Sequence, residues 1–210
     1  MMKKSLIIKV CGMKFAQNRE EVEKLGVDLL GYIFFAPSER FVGDQPETGL
    51  FDSAKPKVGV FVDENVFEIL GLAKNFDFEY IQLHGKENPL TCSIIQKQGL
   101  KVIKAFPVDD QFNFTSTLSF EGLADYFLFD TKTKQHGGSG KKFNWQILDS
   151  YKGKTPFFLS GGIEPEDAEK ISQIDHPMMA GVDLNSGFEE EPGLKNIKKL
   201  KKFIEEIQSL

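Results

Sequence analysis

Cysteine is scarce in this chain: Cys11 and Cys92 stand far apart and form no Cys-x-x-Cys pair. That excludes a disulfide framework and a thiolate zinc site, and each is expected to be a free thiol. Basic charge is short as well. The formal net charge is -5, and no basic stripe alternates with aromatic residues. Neither the electrostatic footprint of a nucleic-acid binder nor a single-strand stacking groove is present. No apolar run approaches the length of a membrane span. Lys3 and Lys4 precede only a short apolar run over 6–10, too brief for a signal-peptide core and without a small-residue cleavage site. A soluble, cytoplasmic protein with no membrane partner is expected. No His, Cys and Asp cluster carries metal-ligand spacing, so no metal is expected.

What the chain does have is eight short apolar runs: SLIIKV, DLLGYIFF, KVGVFV, FEYIQL, LKVIKAF, ADYFLFD, PFFLS and MAGVDL. They are rich in β-branched and aromatic residues without clean alternation, the pattern of strands covered on both faces in a parallel sheet. Helical signals fill most gaps. Asn18 and Glu21 stand at capping-box spacing before Val22, Leu25 and a stop at Gly26. Asp63 is placed to cap a helix with Val66, Phe67, Leu70 and Ala73 on one side. Asn88 with Pro89 and Glu164 with Pro165 open two more, the latter the seventh. Residues 195–210 repeat Ile197, Leu200, Phe203, Ile204 and Ile207 on one face, which makes the lysine run there a solvated helix face. Segments 37–55 and 112–121 support only brief helices.

Eight such units in 210 residues predict a single-domain α/β protein over 1–210, a (β/α)8 TIM barrel near the small end of that fold, with a shortened or irregular second and fifth helix. A doubly wound sheet would favour Gly-x-Gly-x-x-Gly after the first strand, where this chain has VCGMKF.

In a barrel, ligands meet the C-terminal ends of the strands. Cys11 closes the first run, Arg40 follows the second, His84 the fourth and Asp130 the sixth, while Asp183, Asn185, Ser186 and Gly187 close the eighth. Asp130 fits a turn or capping role as well as that of an acid. Cys11 fits a buried apolar role as well as that of a base or nucleophile. In either reactive role it needs positive charge or a helix terminus nearby to lower its pKa. Arg40 offers a planar fork for a carboxylate. His84 and Asp183 are candidates for substrate contact, His84 alternatively for holding a loop carbonyl. Lys9 and Lys104, within strands, fit structural pairing with carboxylates inside the barrel as well as catalysis, and Cys92 is expected to be buried in the fourth helix. Glycines stand after strand 6 (Gly137, Gly138, Gly140), strand 7 (Gly161, Gly162) and strand 8 (Gly187). Together these loops point to a phosphorylated small-molecule substrate, since backbone N–H groups there can face an anion. His136 reads as an ordinary loop histidine.

The stretches KVCGMK, LGYIFFAPSERFV, VGVFVDE, YIQLHGKE, GGSGKKFNW, LSGGIEPEDA and GVDLNSGFEEEPGLKN, in this order and spacing, resemble the phosphoribosylanthranilate isomerase family of tryptophan biosynthesis over nearly the whole length. The resemblance implies a cofactor-free Amadori rearrangement with Cys11 as general base and Asp130 as general acid. It also implies Arg40 on the anthranilate carboxylate, and the glycine loops with Ser186 on the phosphate. An acid that must start protonated is expected in surroundings that raise its pKa, such as burial against Phe129. SGGI stands where AGGL is common, GGSG where GGTG is common, and NSGF where Ser-Ser-Gly-Val is common. The alternatives are another sugar-phosphate barrel enzyme, which calls for a catalytic lysine set or a metal with paired aspartates, and a non-catalytic phosphate-binding module.

Overall fold

The computed structural model describes residues 5–132 and 142–209. Eight parallel strands close a barrel in chain order: β1 (Ile7–Val10), β2 (Leu29–Ile33), β3 (Lys57–Phe61), β4 (Tyr80–Leu83), β5 (Lys101–Val108), β6 (Tyr126–Thr131), β7 (Phe157–Leu159) and β8 (Met179–Leu184). Each falls on one of the eight apolar runs, with β5 and β6 extending beyond theirs to Val108 and Thr131. The seam is the β1–β8 pairing, with Lys9 opposite Asp183 and Val10 opposite Leu184. Side chains alternate across the strands. Cys11, Leu29, Val58, Val60, Tyr80, Ile103, Ala105, Leu128 and Phe158 fill the interior. The intervening positions, such as Ile8, Val10, Phe127 and Phe129, form the outer layer under the crossovers.

The crossovers are uneven. α1 (Ala16–Glu23), α2 (Val66–Phe76), α3 (Pro89–Gln96), α4 (Ala168–Ser172) and α5 (Ile197–Ser209) are α-helical. Segment 37–55 forms turns and one bridge, Phe41 to Ile33. In place of a helix, Phe34 and Phe51 pack with Phe76 and Phe78 over Tyr32, covering the sheet with rings. The fifth crossover is a 3-10 helix, Phe114–Phe120, capped by Asn113. Among the described residues, the sixth holds only the 3-10 turn Trp145–Ser150, capped by Asn144.

Local caps depart from expectation at two places. α1 starts at Ala16, so Asn18 lies inside its first turn. The Asn18 amide is engaged elsewhere, donating to the Lys195 carbonyl at 2.9 Å and accepting the Lys195 N–H at 2.7 Å. At α2 the cap is Asn65, whose Oδ1 accepts from Phe67 N–H. Asp63 sits at φ +52° and accepts from Lys86 N–H instead. Ile69 and Ala73 face the core there, whereas Phe67 is 77 % exposed. The other caps match: Asn88 accepts from Thr91 N–H ahead of Pro89, and Glu164 and Asp167 form a reciprocal box around Pro165. α5 buries Leu200, Phe203 and Ile204. After β8 the chain turns through a 3-10 segment, Ser186–Phe188, into a small antiparallel hairpin of β9 (Glu189–Glu191) and β10 (Leu194–Lys195). No helix among the described residues is long and apolar enough to cross a membrane.

Candidate active site

The strand ends open into one cavity lined by Cys11, Arg40, His84, Asp130, Gly161, Gly162, Asp183 and Ser186, with Asn185 and Gln82 beside them. Ile33, Phe35, Val60, Val62 and Ile163 give it an apolar wall. The sequence-derived candidates thus converge, with three exceptions. Gly138 and Gly140 lie outside the described residues, as do Gly137 and His136. Gly187 does not line the cavity. Its α-carbon packs against the Ile163 carbonyl, a gap too small for any side chain.

Asp130 points inward from β6 because Phe127 and Phe129 occupy the outward positions of the alternation. Burial against Phe129 is therefore ruled out: the two side chains lie on opposite faces of the strand. The Asp130 carboxylate is 26 % exposed at the cavity. Its Oδ1 accepts the Thr131 N–H at 2.9 Å, and its Oδ2 lies 3.2 Å from His84 Nε2. Among the described residues, the His84 ring holds this carboxylate and no loop carbonyl. Its Nδ1 meets the amide of Gln82 at 2.9 Å.

Across the cavity, Cys11 is buried just above the Lys9–Asp183 ion pair, in which Nζ donates to Oδ1 at 2.8 Å. The surroundings do not lower the thiol pKa as the sequence suggested. Burial pushes the Cys11 thiol up and Asp183 adds to the rise, while Lys9 and Lys195 pull against it. Burial by itself would lower Lys9, but Asp183 and then Cys11 hold its ammonium above the usual lysine range. Lys104 on β5 faces outward between the inward Ile103 and Ala105, and pairs with Glu87 outside the barrel at 2.8 Å. The second cysteine, Cys92, is fully buried in α3.

Arg40 reaches the mouth from the loop after β2, and its fork is already gripped. Nε and Nη2 donate to the Glu189 carboxylate at 2.9 and 2.6 Å. Glu189 also accepts from Lys195 Nζ at 2.6 Å, and Lys195 donates in turn to Asn185 Oδ1 at 2.7 Å. Burial works to raise the Glu189 carboxyl, yet Arg40 and Lys195 hold it below the usual range. Burial depresses Lys195, with Glu189 and Cys11 opposing. Gly12, at φ +78°, lets this cluster close over Cys11, since a Cβ there would meet Asn185, Arg40 and Lys195.

Gln82, Glu189 and Lys195 carry no local sequence signal of a role in the site. Gln82 sat inside an apolar run, and Glu189 in an acidic stretch that reads as solvated. Lys195 reads as part of the lysine face of the last helix, whereas the β9–β10 hairpin carries it into the barrel mouth with its side chain fully buried.

Likeness to known proteins runs the length of the chain. Residues 8–206 match the family model described as N-(5'phosphoribosyl)anthranilate (PRA) isomerase. The chain is 50 % identical over 206 residues to the N-(5'-phosphoribosyl)anthranilate isomerase of Parabacteroides distasonis, covering 96 % of this chain and 93 % of that one. It is 44 % identical to that of Phocaeicola vulgatus, over 97 % and 98 % of the two chains. Among solved structures, the phosphoribosyl anthranilate isomerase of Thermotoga maritima superimposes with a TM-score of 0.83 at 30 % identity, covering 98 % of this chain and 100 % of that one. A phosphoribosyl anthranilate isomerase in complex with reduced 1-(o-carboxyphenylamino)-1-deoxyribulose 5-phosphate gives 0.80 at 27 % identity, with the same coverage.

Proposed function

The chain belongs to the N-(5'-phosphoribosyl)anthranilate isomerase family, and from that premise we propose that Asp130 and Cys11 are the acid and base of its reaction. The reaction converts N-(5-phosphoribosyl)anthranilate to 1-(2-carboxyphenylamino)-1-deoxyribulose 5-phosphate in tryptophan biosynthesis. Asp130 gives its proton to the furanose ring oxygen, the ring opens, and the anthranilate nitrogen becomes the cationic nitrogen of a Schiff base. Cys11 as thiolate takes the proton from sugar carbon 2, leaving a neutral enolamine. Carbon 1 then gains a proton as the carbon 2 hydroxyl loses one, giving the ketone.

The observation that carries this reading is the placement of Cys11 and Asp130 in one cavity, at the ends of β1 and β6 with β7 and β8 between them. Burial favours the neutral thiol. The cationic Schiff base adds to Lys9 and Lys195 in favouring the thiolate at the step that needs it. Arg40, with two of its nitrogens committed to Glu189, offers Nη1 to the substrate carboxylate. The apolar wall of Ile33, Phe35 and Val60 suits the aromatic ring. His84 and Asp183 border the sugar, and Ser186 and the positive-φ turn of Gly161 and Gly162 face the phosphate. Two unpaired, buried cysteines support a reducing, cytoplasmic setting.

Consumption of the fluorescent ribosylanthranilate tests the assignment. Cys11→Ser and Asp130→Asn are each expected to lower kcat by about 10²–10⁴ while circular dichroism stays unchanged. An Asp130→Asn enzyme turning over at the wild-type rate would remove Asp130 from the acid role.

A further inference from the structure

We propose that Gln82 is a positioning residue that fixes the tautomer of His84, so that His84 donates a hydrogen bond to Asp130. The proposal rests on the reading of Asp130 as the acid. Gln82 points into the barrel from β4, since Ile81 and Leu83 on either side belong to the outer layer. It is 1 % exposed. Its Nε2 lies 2.9 Å from His84 Nδ1, and His84 Nε2 lies 3.2 Å from Asp130 Oδ2. Gln82 Oε1 is buried without a partner among the described residues.

The three groups make one linked choice. A neutral imidazole has one N–H and one lone pair. An amide N–H directed at Nδ1 fills that lone pair, which leaves the ring hydrogen on Nε2, directed at Asp130. Asp130 then receives two donors, Thr131 N–H on Oδ1 and His84 Nε2–H on Oδ2. When Asp130 passes its proton to the furanose oxygen, negative charge appears on a carboxylate already furnished with both bonds. Interactions realised as charge develops lower the barrier, whereas those equally strong beforehand do not. Without Gln82, Nδ1 is free to carry the hydrogen, and Nε2 then offers Asp130 a lone pair, which favours the undissociated acid. Leaving Oε1 buried and unpaired costs stability, and an apolar residue of similar size would avoid that cost. The amide at this position is thus accounted for by its N–H.

The test uses the whole protein with 15N-labelled histidine. The chain holds three histidines, so His84→Asn identifies the His84 signals by difference. Wild-type His84 is expected as the Nε2–H tautomer. In Gln82→Leu it is expected to shift toward Nδ1–H, with kcat down about tenfold and KM within about twofold, the signature of an interaction made in the transition state. Gln82→Glu, nearly isosteric, places a carboxylate beside Nδ1 and is expected to draw a proton onto it, giving doubly protonated His84. An unchanged tautomer in both variants, or unchanged kcat despite a changed tautomer, overturns the proposal. A fall in kcat with the wild-type tautomer retained assigns Gln82 a packing role and overturns it equally. Failure of the Asp130 assignment shows separately, as turnover retained by Asp130→Asn.

Discussion

Lys9 and Asp183 face each other across the seam that closes the barrel, paired in register between β1 and β8 and bonded at 2.8 Å with side chains 0 % and 5 % exposed. One pair thereby joins the first strand to the last and places a cation and an anion under Cys11. Removing either partner leaves an uncompensated buried charge. Asp183→Leu and Lys9→Met are each expected to cost about 3–5 kcal/mol in urea unfolding. The double variant, with apolar groups on both sides, is expected to recover much of that. Additive losses in the double variant would show that the two side chains are not coupled as drawn.

The charges around Cys11 set a pH dependence. Lys9, Asp183 and Lys195 are the charged groups acting on it, and burial, the largest effect, raises the thiol pKa. The base is active when deprotonated. Values of kcat/KM are therefore expected to climb with pH through a limb above the ordinary thiol value of about 8.5. Lys195→Met removes one of the two cations pulling the thiol down, so its limb is expected at still higher pH. A pH profile for Lys195→Met that overlays the wild type would sever Lys195 from Cys11.

Glu189 makes a prediction of opposite sign. Arg40 and Lys195 overcome burial to hold its carboxyl low, so the charged form is favoured in the folded state. Its contribution to stability is present above the unfolded value of about 4.3 and is lost as pH falls through the lower folded value. Glu189→Gln is expected to unfold about 3 kcal/mol more easily at pH 7, with the gap to wild type narrowing as pH falls below the unfolded value toward the lower folded one. Denaturant melts at a series of pH values measure this, and a gap independent of pH would mean that the Glu189 charge is not what stabilises the mouth.

The eight strands were legible because a parallel barrel buries both faces, and each strand therefore reads as a continuous apolar run. Cys11, Asp130 and Asp183 were legible because barrel geometry turns strand-end positions into site positions. What escaped notice depends on contacts distant in sequence. Asn18 has the composition of a cap, but its amide is claimed by the Lys195 backbone from the far end of the chain, and no local pattern announces that. Lys195 itself reads as one more solvated lysine until the β9–β10 hairpin folds it against Glu189 and Asn185. Asp63 and Asn65 are two residues apart and chemically equivalent as caps, so only the backbone, left-handed at Asp63, decides between them. The phenylalanines that replace the second helix were visible as residues, but their packing against Phe76 and Phe78 of the next unit was not.

Gly161 ties the acid to the turn proposed for phosphate. Its φ is +91°, a conformation that glycine alone adopts cheaply. A Cβ there would run into the Thr131 backbone N and hydroxyl, and into Asp130 Oδ1 at 2.7 Å. The Thr131 N–H is the donor that holds Asp130 Oδ1, and the Thr131 hydroxyl donates to the Gly161 carbonyl at 3.3 Å. An added methyl must therefore displace the acid, the turn or both. Gly161→Ala is expected to lose about 1–3 kcal/mol of stability from the forced backbone, and kcat is expected to fall by at least tenfold as Asp130 leaves its position. Gly26→Ala supplies the control. It also lies at positive φ, +79°, but has open space around it and is remote from the cavity, so it should lose stability alone and keep its kcat. Equal kcat losses in the two variants would reduce the Gly161 effect to general destabilisation, whereas a loss confined to Gly161→Ala locates it in the contact with Asp130 and Thr131.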